Sequence, residues 1–329
     1  MMKMRFFILA ALLASNGLCL WRAAGAAETA ETYPAATVRL LIPYGAGGPN
    51  DTIGRLLTQK LSELWGKPMV AENRPGAGAN IGMAALAKSP PDGYTLAILG
   101  SLAVTVNPSL YRSMPVNPLT DLAPIIRFAS IPVFMVVSPT FPARTVAEFI
   151  TLAKNSPKQL NVCSMGPGTG PTIASELFKQ LAGISMVDIN YRAEPQCYIS
   201  VMSGETAVYF PSPLVLTLVK ANKLVALAVT APSRVATAPE VPTMGEAGLP
   251  GAELSVWYGI YGPARLAPAL QTKLRADIGA IIARPEVRAH LVGLGYEIDN
   301  MGPEEMVRVI RSETERWGKI VRAAKWSAD

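Results

Sequence analysis

Short aliphatic runs in this chain feed repeatedly into glycine-bearing turns that open helical patterns, and this order restricts the fold more than any other feature of the sequence. Residues 38–43 read as a strand and 45–48 as the turn behind it. Residues 51–64 read as a helix with Ile53, Leu56, Leu57 and Leu61 on one face. A strand at 69–72, a helix at 80–87 closed by Ser89, Pro90, Pro91, Asp92 and Gly93, and a strand at 95–99 continue the pattern. After a stretch bearing Pro115, Pro118 and Pro124 the pattern resumes: β character at 131–137, helix at 146–154, strand at 161–164, a second glycine-rich turn at 166–171 and a helix at 173–182. Further strands are predicted at 187–190, 207–210, 224–230 and 256–262, and closing helices at 268–283 and 303–324. Such alternation predicts an α/β architecture with mostly parallel sheets flanked by helices. In the last helix Met306, Val309, Ile310, Trp317, Ile320 and Val321 fall at helical spacing, which reads as packing on the protein's own core.

The two glycine-rich turns are where chemistry is expected. The first amides of a helix have no partner within it, and the helix dipole adds partial positive charge, so an anion fits at such a turn. Glycine lets it approach the backbone without a side chain in the way. Neither turn has the Lys-Ser or Lys-Thr of a phosphate loop, and neither gives a clean dinucleotide fingerprint. Taken singly, each turn is better explained by tight geometry alone. Asp51 is expected as the side-chain cap of the first helix. Ser101, at the end of the third strand, would present its hydroxyl at the same sheet edge, where ligands of open α/β sheets gather.

With a single histidine, His290, and cysteines Cys19, Cys163 and Cys197 far apart, the chain lacks ordinary metal-site spacings, and no metal or cofactor is expected. His290 lies far along the chain from both turns and reads as a surface or capping residue. The chain opens with Lys3 and Arg5, an apolar stretch at 6–14 and the small residues Ala24, Gly25 and Ala26, as in an export signal at 1–26. The apolar stretch is shorter than the ~20 residues of a spanning helix. Leu18 before Cys19 argues against lipid attachment. Removing the signal lowers the formal charge from +6 to +3, and the remaining Lys and Arg are scattered, so no nucleic-acid partner is expected. Cys163 and Cys197 would sit in an oxidising compartment, and sequence leaves their pairing open.

The segments VRLLIPYGAGGPND (38–51), ENRPGAGANIG (72–82), PDGYTL (91–96), NPSLY (107–111), ELFKQLAG (176–183), LAVT (227–230) and VPTMGEAG (241–248) stand in one order and spacing. Together they resemble the periplasmic solute-binding proteins of tripartite tricarboxylate transporters, the Bug type, over nearly all of the mature chain. The resemblance implies a two-domain Venus-flytrap receptor. Domain 1 would be 27–130 plus 253–329, and domain 2 would be 131–252. A small carboxylate would sit in the interdomain cleft, held by Tyr44, Gly45, Ala46, Gly47, Gly48 and Asn50 of the first loop and by Ser101 and Leu102. From domain 2 the resemblance implies Gly168, Thr169, Thr172, Arg192, Pro211 and Ser212. It also implies periplasmic location, a monomeric receptor and membrane permease subunits as partners.

The sequence departs from the family pattern in domain 2, where Thr172 replaces a frequent His, Tyr191-Arg192-Ala193 replaces a Tyr-Lys-Gly-like run, and Pro211 stands where Asp or Ser is frequent. Without that Asp, the distal pocket is expected to prefer an uncharged or anionic group over an amine. A different class, an exported hydrolase or transferase with Ser101, Ser164 or Thr169 as nucleophile, lacks the usual nucleophile elbow and a nameable base.

Overall fold

The computed structural model describes residues 30–328, so the expected export segment and Cys19 lie outside the described residues. In chain order the first part carries β1 (Val38–Ile42), α1 (Pro49–Trp65), β2 (Met69–Asn73), α2 (Asn80–Ala87), β3 (Thr95–Gly100), α3 (Ser101–Thr105), α4 (Asn107–Leu110) and β4 (Leu122–Pro132). The middle carries β5 (Phe134–Val137), α5 (Val146–Asn155), β6 (Leu160–Ser164), α6 (Gly170–Ala182), β7 (Met186–Asn190), α7 (Glu194–Ser203), α8 (Leu216–Lys220) and β8 (Val225–Val229). The chain then gives β9 (Ser255–Pro263), α9 (Pro268–Ala283), α10 (Pro285–Gly293), β10 (Glu297–Met301) and α11 (Pro303–Ala324).

One sheet has six strands in the order β10-β4-β9-β3-β1-β2. Strands β1, β2, β3 and β4 point one way, while β9 and β10 run against them. Every residue of β3 is buried, because helices cover both faces of the sheet. On one face Leu40, Ile42, Ile98 and Ile260 pack with Ile53 and Leu57 of α1 and with Leu274 and Ile278 of α9. On the other, Leu41, Leu99, Trp257 and Tyr261 pack with Met83 of α2 and with Met306 and Ile310 of α11. A second, looser sheet joins β7 to β6 in parallel and β5 to β8 antiparallel. Val208 and Tyr209 bridge these pairs through Val162 and Val136, so the strand expected at 207–210 is two bridging residues. Its main core gathers Phe149, Phe178 and Phe210, and also takes Trp317 and Val321 of α11. The last helix therefore packs its first turns on one sheet and its later turns on the other core.

Further elements differ from the sequence reading. Strand β4 runs through Pro124, which was read as part of a linker. Its pairing with β9 shifts register between Pro124 and Ile126, and a ring without an N–H is tolerated at such an irregularity. Strand β10 is a polar, half-exposed edge whose sequence EIDNM has no aliphatic alternation to announce it.

Thr230, at the end of β8, ties together both places where the chain passes between the sheets. Its N–H donates to the Val133 carbonyl at 2.8 Å, and its hydroxyl oxygen accepts from the Val133 N–H at 2.9 Å. Its carbonyl accepts from the Leu254 N–H at 2.9 Å, and its hydroxyl donates to the Leu254 carbonyl at 2.5 Å. The residue is 2% exposed, so none of these bonds competes with water. Nearby, Cys163 of β6 and Cys197 of α7 form a disulfide with Cα atoms 5.6 Å apart, resolving the pairing that sequence left open.

Thr230→Val keeps both backbone bonds but strands the Val133 N–H and Leu254 carbonyl in the interior. It is expected to lower the unfolding free energy in urea by about 1–3 kcal/mol, and an unchanged midpoint would contradict the clasp. Replacing Cys163 and Cys197 together by Ala frees a loop of sequence separation 34. Chain entropy then predicts a loss of about 3–4 kcal/mol, measured against the oxidised protein in the same denaturant.

Candidate functional site

Each of the three helices α1, α3 and α6 starts directly behind a strand carboxyl end, and none has a side-chain cap on its first amides. Gly48, Gly100 and Thr169 occupy the cap positions in extended conformation. Pro at the start of α1 and α6 fixes the first helical φ and gives up an amide that would be unpaired anyway. Asp51 is therefore not the cap expected from sequence, because Pro49 moves the helix start two residues earlier. Asp51 stands in the first turn and reaches back, its Oδ2 accepting from the Gly47 N–H at 2.9 Å. It also accepts from Arg55 Nε at 3.0 Å and from Asn73 Nδ2 at 2.9 Å. Burial opposes its ionisation, but the bonds from Arg55, Gly47 and Asn73 outweigh this and bring its pKa down to about 2. One loop amide is thus consumed internally, and the charge of Asp51 is balanced by Arg55.

The helix starts are brought together by a few contacts. The Tyr44 hydroxyl accepts from the Gly100 N–H at 3.1 Å, joining the loop after β1 to the start of α3. Burial pushes this phenol up to about 12, so it stays protonated and can still donate outward. The Ser101 hydroxyl is buried and accepts from the Trp257 N–H at 3.3 Å. A Cβ on Gly170, at the start of α6, would stand 3.1 Å from Val256 and 4.0 Å from Leu102. A Cβ on Gly168 would lie 3.4 Å from Asn107 Oδ1 and 3.5 Å from Leu110. The start of α6 in the second sheet's unit therefore faces the start of α3 in the first.

Behind the second turn, three hydroxyls bond one another: Ser164 to Thr172 at 2.9 Å and Thr169 to Thr172 at 3.0 Å. Gly168 and Thr172 line a hollow of about 220 Å³ together with Ser164, Glu176, Asp188, Asn190 and the tail residues Trp326 and Ser327. A smaller hollow of about 50 Å³ opens between Pro49, Thr52 and Tyr296 on one side and Ser212, Pro213 and Leu214 on the other. There the two units touch closely: Gly295 has φ +85°, and a Cβ on it would stand 2.2 Å from Pro213 Cβ.

Of the residues expected from sequence, Tyr44, Ser101 and Leu102 gather around Gly100 and Val256. Gly45, Ala46 and Gly47 are exposed in the loop, with Gly48 and Asn50 half-buried beside them. The side-chain oxygen of Asn50 is buried without a partner. Gly168 lies beside Asn107 and Leu110, while the hydroxyls of Thr169 and Thr172 bond Gly166, Ser164 and each other within the second unit. Arg192 is exposed, and its backbone N–H donates to Gln196. Pro211 is buried, its carbonyl accepting from the Phe134 N–H at 2.9 Å. Ser212 is at the rim, but both of its donors are engaged: its N–H and its hydroxyl each donate to Glu194 Oε1 at 3.1 Å.

Glu194 and Asn107 were missed by the sequence reading. Glu194 is the first residue of α7 and also accepts from the Tyr198 hydroxyl at 2.8 Å. A Glu-Pro pair just behind a strand was its only sequence signal. Asn107 is fully buried and donates to the Gly78 carbonyl at 2.7 Å and to Asn80 at 3.0 Å, which leaves its Oδ1 without a partner beside Gly168.

Two α/β units linked by paired chain crossings, with helix starts opposed across their junction, define a solute-binding protein of the periplasmic-binding-protein class. The chain belongs to the tripartite tricarboxylate transporter family receptors (TctC), whose profile matches residues 53–325. It is similar to the structure described as R. palustris Rpa4515 with adipate, at 29% identity and TM-score 0.82, covering 90% of this chain and 99% of that one. The periplasmic binding protein BugD is similar at 25% identity and TM-score 0.80, with 90% and 99% covered. MatC (Rpa3494) from Rhodopseudomonas palustris with bound malate is 25% identical at TM-score 0.80, with 88% and 100% covered.

Because Asp51 titrates lower in the folded protein than in the unfolded chain, it contributes stability above its unfolded pKa. That contribution is lost as pH falls through about 2. Asp51→Asn is expected to lower the unfolding free energy by about 2 kcal/mol near neutrality. The gap to the parent should shrink steadily as the pH is lowered from about 5 toward 2. A pH-independent gap would show that its hydrogen bonds, not its charge, hold the loop.

Proposed function

We propose that this protein is an exported receptor that captures a small organic carboxylate between its two units, for tripartite tricarboxylate-type transport or sensing. The observation that carries this reading is that the uncapped starts of α3 and α6 face each other, with the loop before α1 bonded to the first of them through Tyr44. Backbone amides there supply donors and partial positive charge to a carboxylate without an arginine clamp. Similar proteins described with adipate and with malate support a carboxylate as the ligand class. The two units, 27–130 plus 253–329 and 131–252, would act as lobes that close on the ligand, with Thr230 at the crossing between them. A ligand touching both stabilises the closed arrangement by its differential affinity for it. Periplasmic location, a monomeric receptor and membrane permease subunits as partners belong to the same reading.

The hydrolase reading has less support. The hydroxyls of Ser164, Thr169 and Thr172 bond one another, and Ser101 accepts from the Trp257 backbone. His290 is exposed on α10, with no hydrogen bond to any of them among the described residues.

Thermal unfolding against dicarboxylates, aromatic acids, amino acids, sugars and nucleotides tests the reading. A true ligand at one hundred times its Kd should add about 2.7 kcal/mol of stability, and calorimetry should give a matching Kd with no turnover. Stabilisation by sugars or cations alone, or product formation, would overturn it.

A further inference from the structure

Glu194 stands where an anion receptor has least reason to place a carboxylate. It is half-buried, and among the described residues it forms no ion pair, not even with neighbouring Arg192. Its Oε1 is saturated by the Tyr198 hydroxyl and by both donors of Ser212. Its Oε2 has only a 3.5 Å contact with the Ser212 hydroxyl. The carboxylate is therefore held rigidly by one oxygen while the other is unfilled.

Its location is the junction between the two units. Ser212, which holds it, lines the small hollow opposite Pro49, Thr52 and Tyr296. Burial raises the phenol pKa of Tyr198 and Tyr209 in one unit and of Tyr258 and Tyr296 in the other, and the charge of Glu194 raises all four further. Its field thus reaches both sides. Tyr258 stacks edge-on against Tyr296 with ring centroids 5.7 Å apart, and it also lies beside Gly100 at the start of α3. Tyr258 thus stands between Gly100 and Tyr296, and Tyr296 lines the small hollow together with Ser212.

A second buried acceptor stands beside the Gly168 turn. Asn107 is fully buried, its amide orientation is fixed by donation to Gly78 and Asn80, and its Oδ1 faces the Gly168 turn with nothing donating to it. A buried acceptor without a partner costs free energy until a donor arrives. Asn107 thus leaves an unpaired acceptor beside the Gly168 turn, and it does not line the small hollow that Ser212 lines.

We propose that Glu194 is a specificity-determining residue that selects, among small carboxylates, those that also carry an ammonium group. The inference rests on the carboxylate reading above and reverses the expectation, drawn from the missing Asp after Phe210, that an amine is disfavoured. A half-buried charge without a counter-ion gains most from a cationic donor, less from a neutral hydroxyl, and is repelled by a second carboxylate placed against it.

The experiment is calorimetric titration of the full mature chain with succinate, malate and aspartate, and with adipate and 2-aminoadipate. These probes differ only in carrying hydrogen, hydroxyl or ammonium on one carbon. In at least one set the ammonium member is expected to bind about tenfold or more tighter than the plain dicarboxylate, with malate between in its set. Glu194→Gln, which keeps an acceptor oxygen for Ser212 and Tyr198, should erase that preference while leaving plain dicarboxylates equal or tighter. Equal or tighter binding of the plain dicarboxylates by the parent protein overturns this inference and leaves the carboxylate reading standing. So does a uniform loss across all probes in Glu194→Gln. Binding of sugars or cations with no response to any carboxylate overturns both. The parent protein's own preference needs no variant, so misfolding of Glu194→Gln would not remove the test.

Discussion

A helix that begins on glycine or proline directly behind a buried strand leaves its first amides without partners, and this constraint organises the protein's junction. At α1, α3 and α6 no side chain caps the helix, although Ser and Thr stand within reach of the last two starts. Asp51 takes the Gly47 amide of the loop before α1 and is itself neutralised by Arg55, and the Tyr44 hydroxyl takes the Gly100 amide before α3. Uncapped ends are a cost unless something external fills them.

Two chain crossings and the last helix join the two sheets. The strand crossings at Val133 and Leu254 are both bonded to Thr230, a residue too buried to exchange these partners with water. The last helix adds a third connection, with Met306 and Ile310 in one core and Trp317 and Val321 in the other. Beyond these links Leu102, Val106 and Leu110 share a core with the second sheet's residues, and at Gly295 against Pro213 only glycine accommodates both the left-handed φ and the approaching ring.

Much of this was legible in the sequence, for physical reasons that also explain the failures. Strands β1 and β3 are mostly aliphatic because both faces are covered, and helices α2, α9 and α11 announce themselves by proline or asparagine starts and apolar spacing. Pro124 concealed β4, since a lone proline within an apolar run looks like a break unless the partner strand's register shift is known. EIDNM concealed β10, since an edge strand with solvent on its outer side needs no alternation. The cap of α1 was misplaced because Asp51 is the better capping side chain, while Pro49 fixes the backbone earlier. The Cys163–Cys197 pair depends on β6 and α7 being neighbours, which a separation of 34 residues does not reveal. Glu194 was overlooked for a related reason: its meaning lies in Ser212, eighteen residues on, and in tyrosines of the opposite unit.

Backbone amides offer the same hydrogen bonds to any carboxylate, so a cradle of helix starts contributes affinity with little discrimination. In a receptor of this design, selectivity has to come from side chains on the opposing rim, and each works by what it rejects as much as by what it accepts. Arginine there would favour every dicarboxylate alike. A fixed acid opposes most of them, because a second negative group brought close in a partly desolvated cleft meets both repulsion and the lost hydration of Glu194. Only a ligand that brings its own positive donor converts that penalty into attraction. The hydrogen bonds that hold Glu194 Oε1 matter for this reason. An acid free to swing into water would neither repel nor select, whereas one pinned by Ser212 and Tyr198 must be answered wherever the cleft closes on it.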